Sequence, residues 1–178
     1  MKGFTGVVLA GGKSSRMGKD KSTLLFEGET FLYRSRRLLE DLGASTILIS
    51  SNDYKGLPDI YTGCGPLSGI HAALHQTNNN LLIIPVDMPL ITSAQLLPLL
   101  EEGESTVEAA HYDRFPLPLY LANSKKVRNI IENKLETKTN LSLRSLIAQL
   151  DNIQIPVSDS RVFSNVNTME DYNDVISD

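Results

Sequence analysis

The stretch "VVLAGGKSSRMGKDK", residues 7–21, sets the expectations for the whole chain. It begins inside a longer apolar run, "FTGVVLAGG" at residues 4–12, which shows almost no polar alternation. Such a run is typical of a strand in a parallel sheet that helices cover on both faces. The sequence therefore predicts an internal β-strand that stops at two glycines, Gly11 and Gly12.

Positive charge crowds the segment that follows these glycines. The cations are Lys13, Arg16, Lys19 and Lys21, with Lys2 upstream of the strand. Glycines let backbone N–H groups approach an anion closely, and the cations add attraction, so the segment is typical of a phosphate site. The whole chain has a net charge of −4. The positive charge is therefore local, and we expect no binding of nucleic acid.

Strands and helices are predicted to alternate through the first half of the chain. Apolar runs at residues 45–50 and 80–90 indicate further buried strands, and a helical stripe covers residues 30–42. Another helix is predicted over residues 66–76, and a capping box, T-x-x-Q at residues 92–95, precedes a third helix in which Pro98 should cause a kink or an early end. This alternation predicts a three-layer α/β/α sandwich around a mostly parallel sheet.

The second half of the chain is less regular. Strands are predicted at residues 106–112, 115–122 and 153–157, and helices at 124–135, 141–150 and 167–177. A hairpin or an edge pairing among these later strands would make the sheet mixed.

Length and composition narrow the class of protein. We expect the 178 residues to form a single domain, residues 1–178, with one core. One cysteine, Cys64, excludes an internal disulfide, and the chain shows neither a signal-peptide pattern nor an apolar run of membrane-spanning length. These features predict a cytoplasmic protein that does not bind membranes.

Two familiar phosphate loops fail on spacing. The pattern G-x-x-x-x-G-K-[ST] needs a glycine where Val7 stands, because Gly6 lies one residue too early. The dinucleotide pattern G-x-G-x-x-G needs a glycine where Lys13 stands. Residues 9–21 instead read L-A-G-G-x-x-x-R-M-G-x-D-K, a pattern that neither rule covers.

This pattern resembles the opening motif of nucleotidyltransferases, and more narrowly that of the molybdenum cofactor guanylyltransferase family. Three further stretches are similar to motifs of the same family: "CGPLSGIHAAL" at 64–74, "IIPVDMPLI" at 83–91 and "FSNVNTMEDY" at 163–172. The resemblance implies a Rossmann-like nucleotidyltransferase fold. It also implies that the protein transfers GMP from GTP to molybdopterin with Mg²⁺ and releases pyrophosphate, with molybdoenzymes or other cofactor-biosynthesis proteins as partners.

The resemblance also implies roles for individual residues. Nucleotide-binding positions are Leu9, Ala10, Gly11, Gly12, Lys13, Lys21, Asp59 and Asp87. Catalytic positions are Arg16 and Lys21, which would stabilise the triphosphate, and Asp87, which would hold the metal. Asn165 and Asn167 match positions near the pterin phosphate or the metal.

Several alternatives stay open at this point. A tight strand-to-helix turn is the alternative for the two glycines, although the nearby cations favour phosphate binding. The asparagines would serve equally as part of a helix cap in which Thr168 is the N-cap. A cytidylyltransferase acting on the same pterin and a sugar-phosphate nucleotidyltransferase share the opening motif, and a nucleotide-binding adaptor would keep the fold without turnover. His71 and His75 have the i, i+4 spacing of zinc ligands, but packed or surface histidines account for them better.

Overall fold

The computed structural model describes residues 3–11, 21–51 and 56–176. Six strands form one sheet in the order β4-β1-β5-β7-β6-β8, and two very short strands, β2 and β3, form a separate hairpin. The strands of the main sheet are β1 (Phe4–Leu9), β4 (Thr46–Ser50), β5 (Asn80–Pro85), β6 (Ala109–Tyr112), β7 (Phe115–Leu121) and β8 (Asn152–Ile155); those of the hairpin are β2 (Leu25–Phe26) and β3 (Glu29–Thr30).

Helices connect most of these strands. They are α1 (Phe31–Asp41), α2 (Pro66–Gln76), α3 (Ser93–Gly103), α4 (Lys125–Thr137), α5 (Leu143–Ile147) and α6 (Met169–Ile176), with 3-10 helices at Lys21–Thr23 and Arg161–Phe163. Within the described ranges, none of the helices combines the length and the apolar character needed to cross a bilayer.

The sheet separates two hydrophobic clusters, one on each face. Along β1, Val8 packs into the cluster that contains residues of α1, α3 and α6, and Val7 packs into the cluster that contains residues of α2, α4 and α5. Side chains of a strand point alternately to the two faces, so an unbroken apolar run feeds both clusters. The three-layer α/β/α arrangement expected from the sequence is confirmed.

The sheet is mixed. β1 pairs in parallel with β4 and β5, and β6 pairs in parallel with β8. β7 runs antiparallel to β5 on one side and to β6, with which it forms a hairpin, on the other. The mostly parallel sheet is therefore confirmed, and the later strands contribute the antiparallel pairing that a hairpin predicts.

Two local predictions differ from the structure. β4 was expected to be buried, but it is an edge strand in which Ser50 is buried and Thr46 is exposed. An apolar run has the same pattern in an edge strand that helices shelter, so the sequence does not distinguish the two positions. Of the two effects predicted for Pro98, the early end of the helix is wrong, because α3 begins after the predicted capping box of Thr92 and Gln95 and continues through Pro98 to Gly103. The kink stays a prediction.

Candidate active site

A cavity of about 480 Å³ lies at the carboxyl ends of β1 and β5. Ligands of open α/β sheets bind at this edge, outside the carboxyl ends of the strands. The lining residues come from the end of β1, the first 3-10 helix, the start of α2, the end of β5 and its turn, the β6–β7 hairpin, α5 and the segment before α6: Leu9, Ala10, Gly11, Lys21, Pro66, Pro85, Val86, Asp87, Met88, Arg114, Phe115, Pro116, Leu117, Arg144, Asn165 and Asn167.

Lys21 donates hydrogen bonds to two side-chain oxygens inside this cavity, one from a carboxylate and one from an amide. Its Nζ donates to Asp87 Oδ2 at 3.1 Å and to Asn167 Oδ1 at 2.6 Å. The side chains of Lys21 and Asp87 are 19% and 23% exposed, so the ion pair is largely shielded from water and only weakly screened by salt. Three residues far apart in sequence therefore meet around one ammonium group.

The end of β5 places Asp87. Val86 N donates to Leu9 O at 3.1 Å, which continues the parallel pairing with β1 beyond the last residue of β5. Asp87 follows in the turn, and its carbonyl oxygen accepts from Val166 N at 2.8 Å. Backbone bonds on both sides therefore hold the Asp87 carboxylate at the rim of the sheet.

Residues of the segment Asn165–Val166–Asn167 alternate between lining the cavity and packing in the protein interior. Val166 is fully buried in the cluster on the α1 side of the sheet, whereas both asparagines line the cavity. The buried valine and its bond to the Asp87 carbonyl fix the segment, and the amide oxygen of Asn167 reaches Lys21.

A short 3-10 helix carries Lys21 to this position. Leu24 N donates to Lys21 O at 3.2 Å, and Phe31 N donates to Leu24 O at 2.8 Å, which ties the segment to the start of α1. Leu24 and Phe31 are both buried. Apolar packing beneath the loop therefore supports the lysine.

Some main-chain groups at the end of β1 form hydrogen bonds within the sheet. Leu9 O accepts from Val86 N, and Ala10 N donates to Ser50 O at 2.9 Å. A Cβ added to Gly11 would have its nearest contact at 3.7 Å, to Ser50 O, which is ordinary van der Waals distance. Among the described residues, neither crowding nor a positive φ explains Gly11, and Gly11 lines the cavity.

The second glycine motif has a structural reason at both glycines. Gly65 precedes α2 with φ of 66°, a conformation that favours glycine. A Cβ on Gly69 would lie 2.0 Å from Ser50 Oγ, so Gly69 allows α2 to pack closely on β4. These glycines set the position of α2, whose first residue, Pro66, lines the cavity.

Two arginines at the opposite end of the cavity were not identified from the sequence. Arg114 lies in the turn between β6 and β7 with φ of 65°, and Arg144 lies in α5. Arg144 Nη2 donates to the backbone carbonyl of Arg114. In the sequence, Arg114 lies between two predicted strands and Arg144 lies within a predicted helix, and neither position carries a motif. The two residues come together only in the folded chain.

The remaining predicted site residues fall into two groups. Gly12, Lys13 and Arg16 lie outside the described residues. Asp59 lies in the loop between β4 and α2 and is not among the residues that line the cavity. Cys64 is buried in the cluster on the α2 side, which fits a packing role.

The two histidines of α2 are hydrogen-bonded to each other. His71 Nε2 and His75 Nε2 lie 3.1 Å apart, with His71 buried and His75 exposed. Burial, the neighbouring His75 and the charge of Arg128 lower the pKa of His71. Among the described residues, no cluster of three or more His, Cys, Asp and Glu side chains is arranged to hold a metal ion, so the structure gives the zinc alternative no third ligand of these types.

Comparison with known proteins agrees with this geometry. Residues 6–153 match the model of the MobA-like NTP transferase domain. The chain is 32% identical to the molybdenum cofactor guanylyltransferase of Xanthomonas euvesicatoria over 178 residues, which cover 97% of this chain and 94% of the relative. It is 31% identical to the probable molybdenum cofactor guanylyltransferase of Flavobacterium johnsoniae, covering 98% and 97% of the two chains.

A solved structure has the same fold. The crystal structure of molybdopterin-guanine dinucleotide biosynthesis protein A from Archaeoglobus fulgidus superposes with a TM-score of 0.79 at 22% identity, covering 97% of each chain. The family match spans most of the sequence and the curated relatives cover nearly all of it. The chain therefore belongs to the MobA-like NTP transferase family of nucleotidyltransferases.

Proposed function

We propose that this protein transfers GMP from GTP to molybdopterin in the cytoplasm, forming a guanine dinucleotide cofactor and releasing pyrophosphate. The observation that carries the proposal is the convergence of Asp87 and Asn167 on Lys21 at the carboxyl edge of the sheet. The names of relatives that cover nearly the whole chain support the choice of substrates.

The oxygens around Lys21 are suited to a cation. A carboxylate oxygen of Asp87 and an amide oxygen of Asn167 already converge on one ammonium group, at 3.1 and 2.6 Å. Hard cations such as Mg²⁺ prefer carboxylate, amide and phosphate oxygens, and Mg²⁺ in nucleotide sites takes only one or two protein carboxylates. The donor set fits Mg²⁺, with Asp87 as its main protein ligand and Asn165 and Asn167 close by.

Bound Mg²⁺ would offset the negative charge of the triphosphate near the reacting phosphorus. Residues of this chain supply the space for the nucleotide and further neutralisation of charge. Gly11 leaves room for the nucleotide to approach the end of β1, and the Lys21 ammonium neutralises charge on the leaving pyrophosphate. Lys13 and Arg16, which belong to the same sequence motif, would contribute further positive charge.

The reaction forms one bond and breaks one. A phosphate oxygen of the acceptor attacks the α-phosphorus of GTP, and the bond from that phosphorus to the departing pyrophosphate breaks. The phosphate nucleophile is already ionised at neutral pH, so the site does not need a general base. Positioning and charge neutralisation account for the catalysis.

The arginine end of the cavity suits the acceptor. Arg114 and Arg144 line the cavity together with Phe115, Pro116 and Leu117. Guanidinium groups bind phosphate through paired hydrogen bonds, and the apolar side chains offer nonpolar contacts to a ring system. We place the molybdopterin at this end and the triphosphate at the Lys21 end.

Product analysis with four nucleotides tests the proposal. Protein, molybdopterin and Mg²⁺ are incubated separately with GTP, CTP, ATP and UTP, and pyrophosphate and the mass of the dinucleotide are measured. We expect product with GTP alone. Product with CTP alone would assign the cytidylyl reaction instead, because the main-chain groups at the end of β1 do not by themselves fix the base.

A nucleotide-binding adaptor is the competing class. It would bind GTP and the pterin, release no pyrophosphate, and pass the pterin to molybdoenzymes or other cofactor-biosynthesis proteins. Binding measured by a thermal shift, without pyrophosphate release under any of the four conditions, would favour the adaptor.

A further inference from the structure

The N-terminus of α6 is capped in both directions. Asp171 N donates to Thr168 Oγ1 at 3.1 Å, and Thr168 N donates to Asp171 Oδ2 at 2.8 Å. Thr168 therefore acts as the N-cap, as the sequence predicted, and Asp171 closes the reciprocal pair of a capping box. Such a cap stabilises the first turn of a helix.

Asp171 makes one bond more than a capping box requires. Its Oδ2 also accepts from Asn167 N at 2.8 Å, although Asn167 lies one residue before the N-cap. These two backbone N–H groups are the main cause that lowers the pKa of Asp171, and the positive charge of Lys21 adds to it. The carboxylate is therefore ionised at neutral pH and holds the Asn167 main chain.

The residue that Asp171 holds is the one that contacts Lys21. Asn167 Oδ1 accepts from Lys21 Nζ at 2.6 Å, and the same Nζ donates to Asp87 Oδ2. A hydrogen-bonded series thus runs from the first turn of α6 to the rim of the sheet. A shift of the Asn167 main chain away from Lys21 would lengthen the short Asn167–Lys21 bond.

The next residue of α6 ties the helix to the segment that carries Lys21. Tyr172 OH donates to Leu25 O at 2.7 Å, and the Tyr172 ring lies 6.2 Å from the Phe31 ring between centroids. The first turn of α6 therefore contacts both sides of the Asn167–Lys21 hydrogen bond. An ordinary helix cap does not need either contact.

We propose that Asp171 is a positioning residue for nucleotidyl transfer, which holds Asn167 so that its amide oxygen directs the Lys21 ammonium beside Asp87. The proposal rests on the proposed function of this site. Asp171 does not line the cavity, so it acts through Asn167 and not on the substrate.

Three variants separate positioning from capping. Asp171→Ala removes both backbone bonds, and Asp171→Glu restores the acid that capping boxes most often use at this position. Ser124→Ala is the matched control, because Ser124 caps α4 through Val127 N at 3.1 Å, next to the end of β7 and away from the cavity. Asp171→Ala and Ser124→Ala should each lower the melting temperature by about 2–4 °C.

The kinetic results should then differ. We expect Asp171→Ala to lower kcat for pyrophosphate release by about fivefold or more with KM for GTP within about twofold, Asp171→Glu to recover most of the loss, and Ser124→Ala to leave kcat unchanged. Equal kcat for Asp171→Ala and Ser124→Ala, or no recovery in Asp171→Glu, would overturn the proposal.

A crystal structure of Asp171→Ala provides a second readout that does not need turnover. We expect the Asn167 Oδ1–Lys21 Nζ distance to exceed hydrogen-bond length, about 3.5 Å, whereas it stays short in Ser124→Ala. An unchanged distance would overturn the positioning role. Absence of pyrophosphate release by the wild type would instead count against the proposed function, and the two structures would still decide the positioning role.

Discussion

Two cavities of similar volume lie at opposite ends of the strands, one at the carboxyl ends and one at the amino ends of β1 and β5. The one at the carboxyl ends of β1 and β5 measures about 480 Å³, and the one at the other edge, near Gly3, Asn80 and Tyr120, about 430 Å³. Their described linings differ in charge: the first includes Lys21, Asp87, Arg114 and Arg144, whereas Glu104 is the one charged residue of the second. Convergent charge, and not volume, therefore distinguishes the candidate active site.

Polar groups that line the second cavity form hydrogen bonds with other groups of the protein. Tyr120 OH donates to Gly103 O at 2.8 Å and accepts from Asn80 Nδ2 at 2.6 Å, while Asn80 Oδ1 accepts from Asn123 N at 2.9 Å. These bonds connect β5, β7 and α3, so they stabilise the amino edge. Matched substitutions at the two edges should therefore separate activity from stability.

Removal of the Asp87 charge should have the largest effect on activity. Asp87→Asn keeps the size of the side chain but removes the carboxylate beside Lys21. We expect kcat/KM for dinucleotide formation to fall by about 10²–10³, the range seen when one electrostatic contact of a reacting centre is lost. Steady-state pyrophosphate release measures it.

The matched control for Asp87→Asn is Glu104→Gln, which removes the charge at the opposite cavity. Its kcat/KM should equal that of the wild type. Similar losses in both variants would mean that net charge, and not the position of Asp87, governs the rate.

Removal of the Lys21 charge should have the next largest effect. Lys21→Met keeps an unbranched side chain but loses charge-assisted contacts of about 1.5–3 kcal/mol, so kcat/KM should fall by about 10- to 150-fold. Lys125→Met makes the same chemical change at an exposed position at the start of α4. Activity of Lys21→Met equal to that of Lys125→Met would remove Lys21 from the mechanism.

Two glycines near Ser50 should respond in opposite ways. In Gly11→Ala the new Cβ has only ordinary contact at 3.7 Å, so we expect an unchanged melting temperature but a KM for GTP raised about tenfold, since the methyl group occupies space left for the nucleotide. In Gly69→Ala the Cβ would meet Ser50 Oγ at 2.0 Å, and the melting temperature should fall. Wild-type KM in Gly11→Ala would show that the nucleotide lies elsewhere.

Much of the regular fold could be predicted from sequence periodicity. The predicted helix over residues 66–76 coincides with α2, and the one over residues 30–42 differs from α1 by one residue at each end. The β2–β3 hairpin was missed because strands of two residues are too short to show alternation, and its turn at Glu27 and Gly28 has positive φ without a strong turn motif. The single domain over residues 1–178 stays a prediction.

The candidate site could be predicted only where a motif contained the residue. Lys21, Asp87 and Asn167 each lie in a motif, and the structure brings them together around one ammonium group. Arg114 and Arg144 lie in a hairpin turn and a five-residue helix that carry no motif, and they meet because α5 packs against β7, the strand that follows the turn. A contact between residues 30 positions apart is not encoded in local spacing.

The smallest effect on activity is expected from Tyr120→Phe at the amino edge. Loss of the hydroxyl leaves Gly103 O and Asn80 Nδ2 without this partner, so the free energy of unfolding should fall by about 1–3 kcal/mol while kcat/KM stays unchanged. Burial raises the pKa of Tyr120 above 10.0. The neutral hydroxyl is thus favoured in the folded state, and its contribution is complete below pH 10 and lost as the pH rises through the folded-state pKa. Urea unfolding at pH 7 and pH 10.5 should show a smaller difference in the free energy of unfolding between wild type and Tyr120→Phe at the higher pH. A fall in kcat/KM comparable to that of Lys21→Met would instead place a functional role at this edge as well.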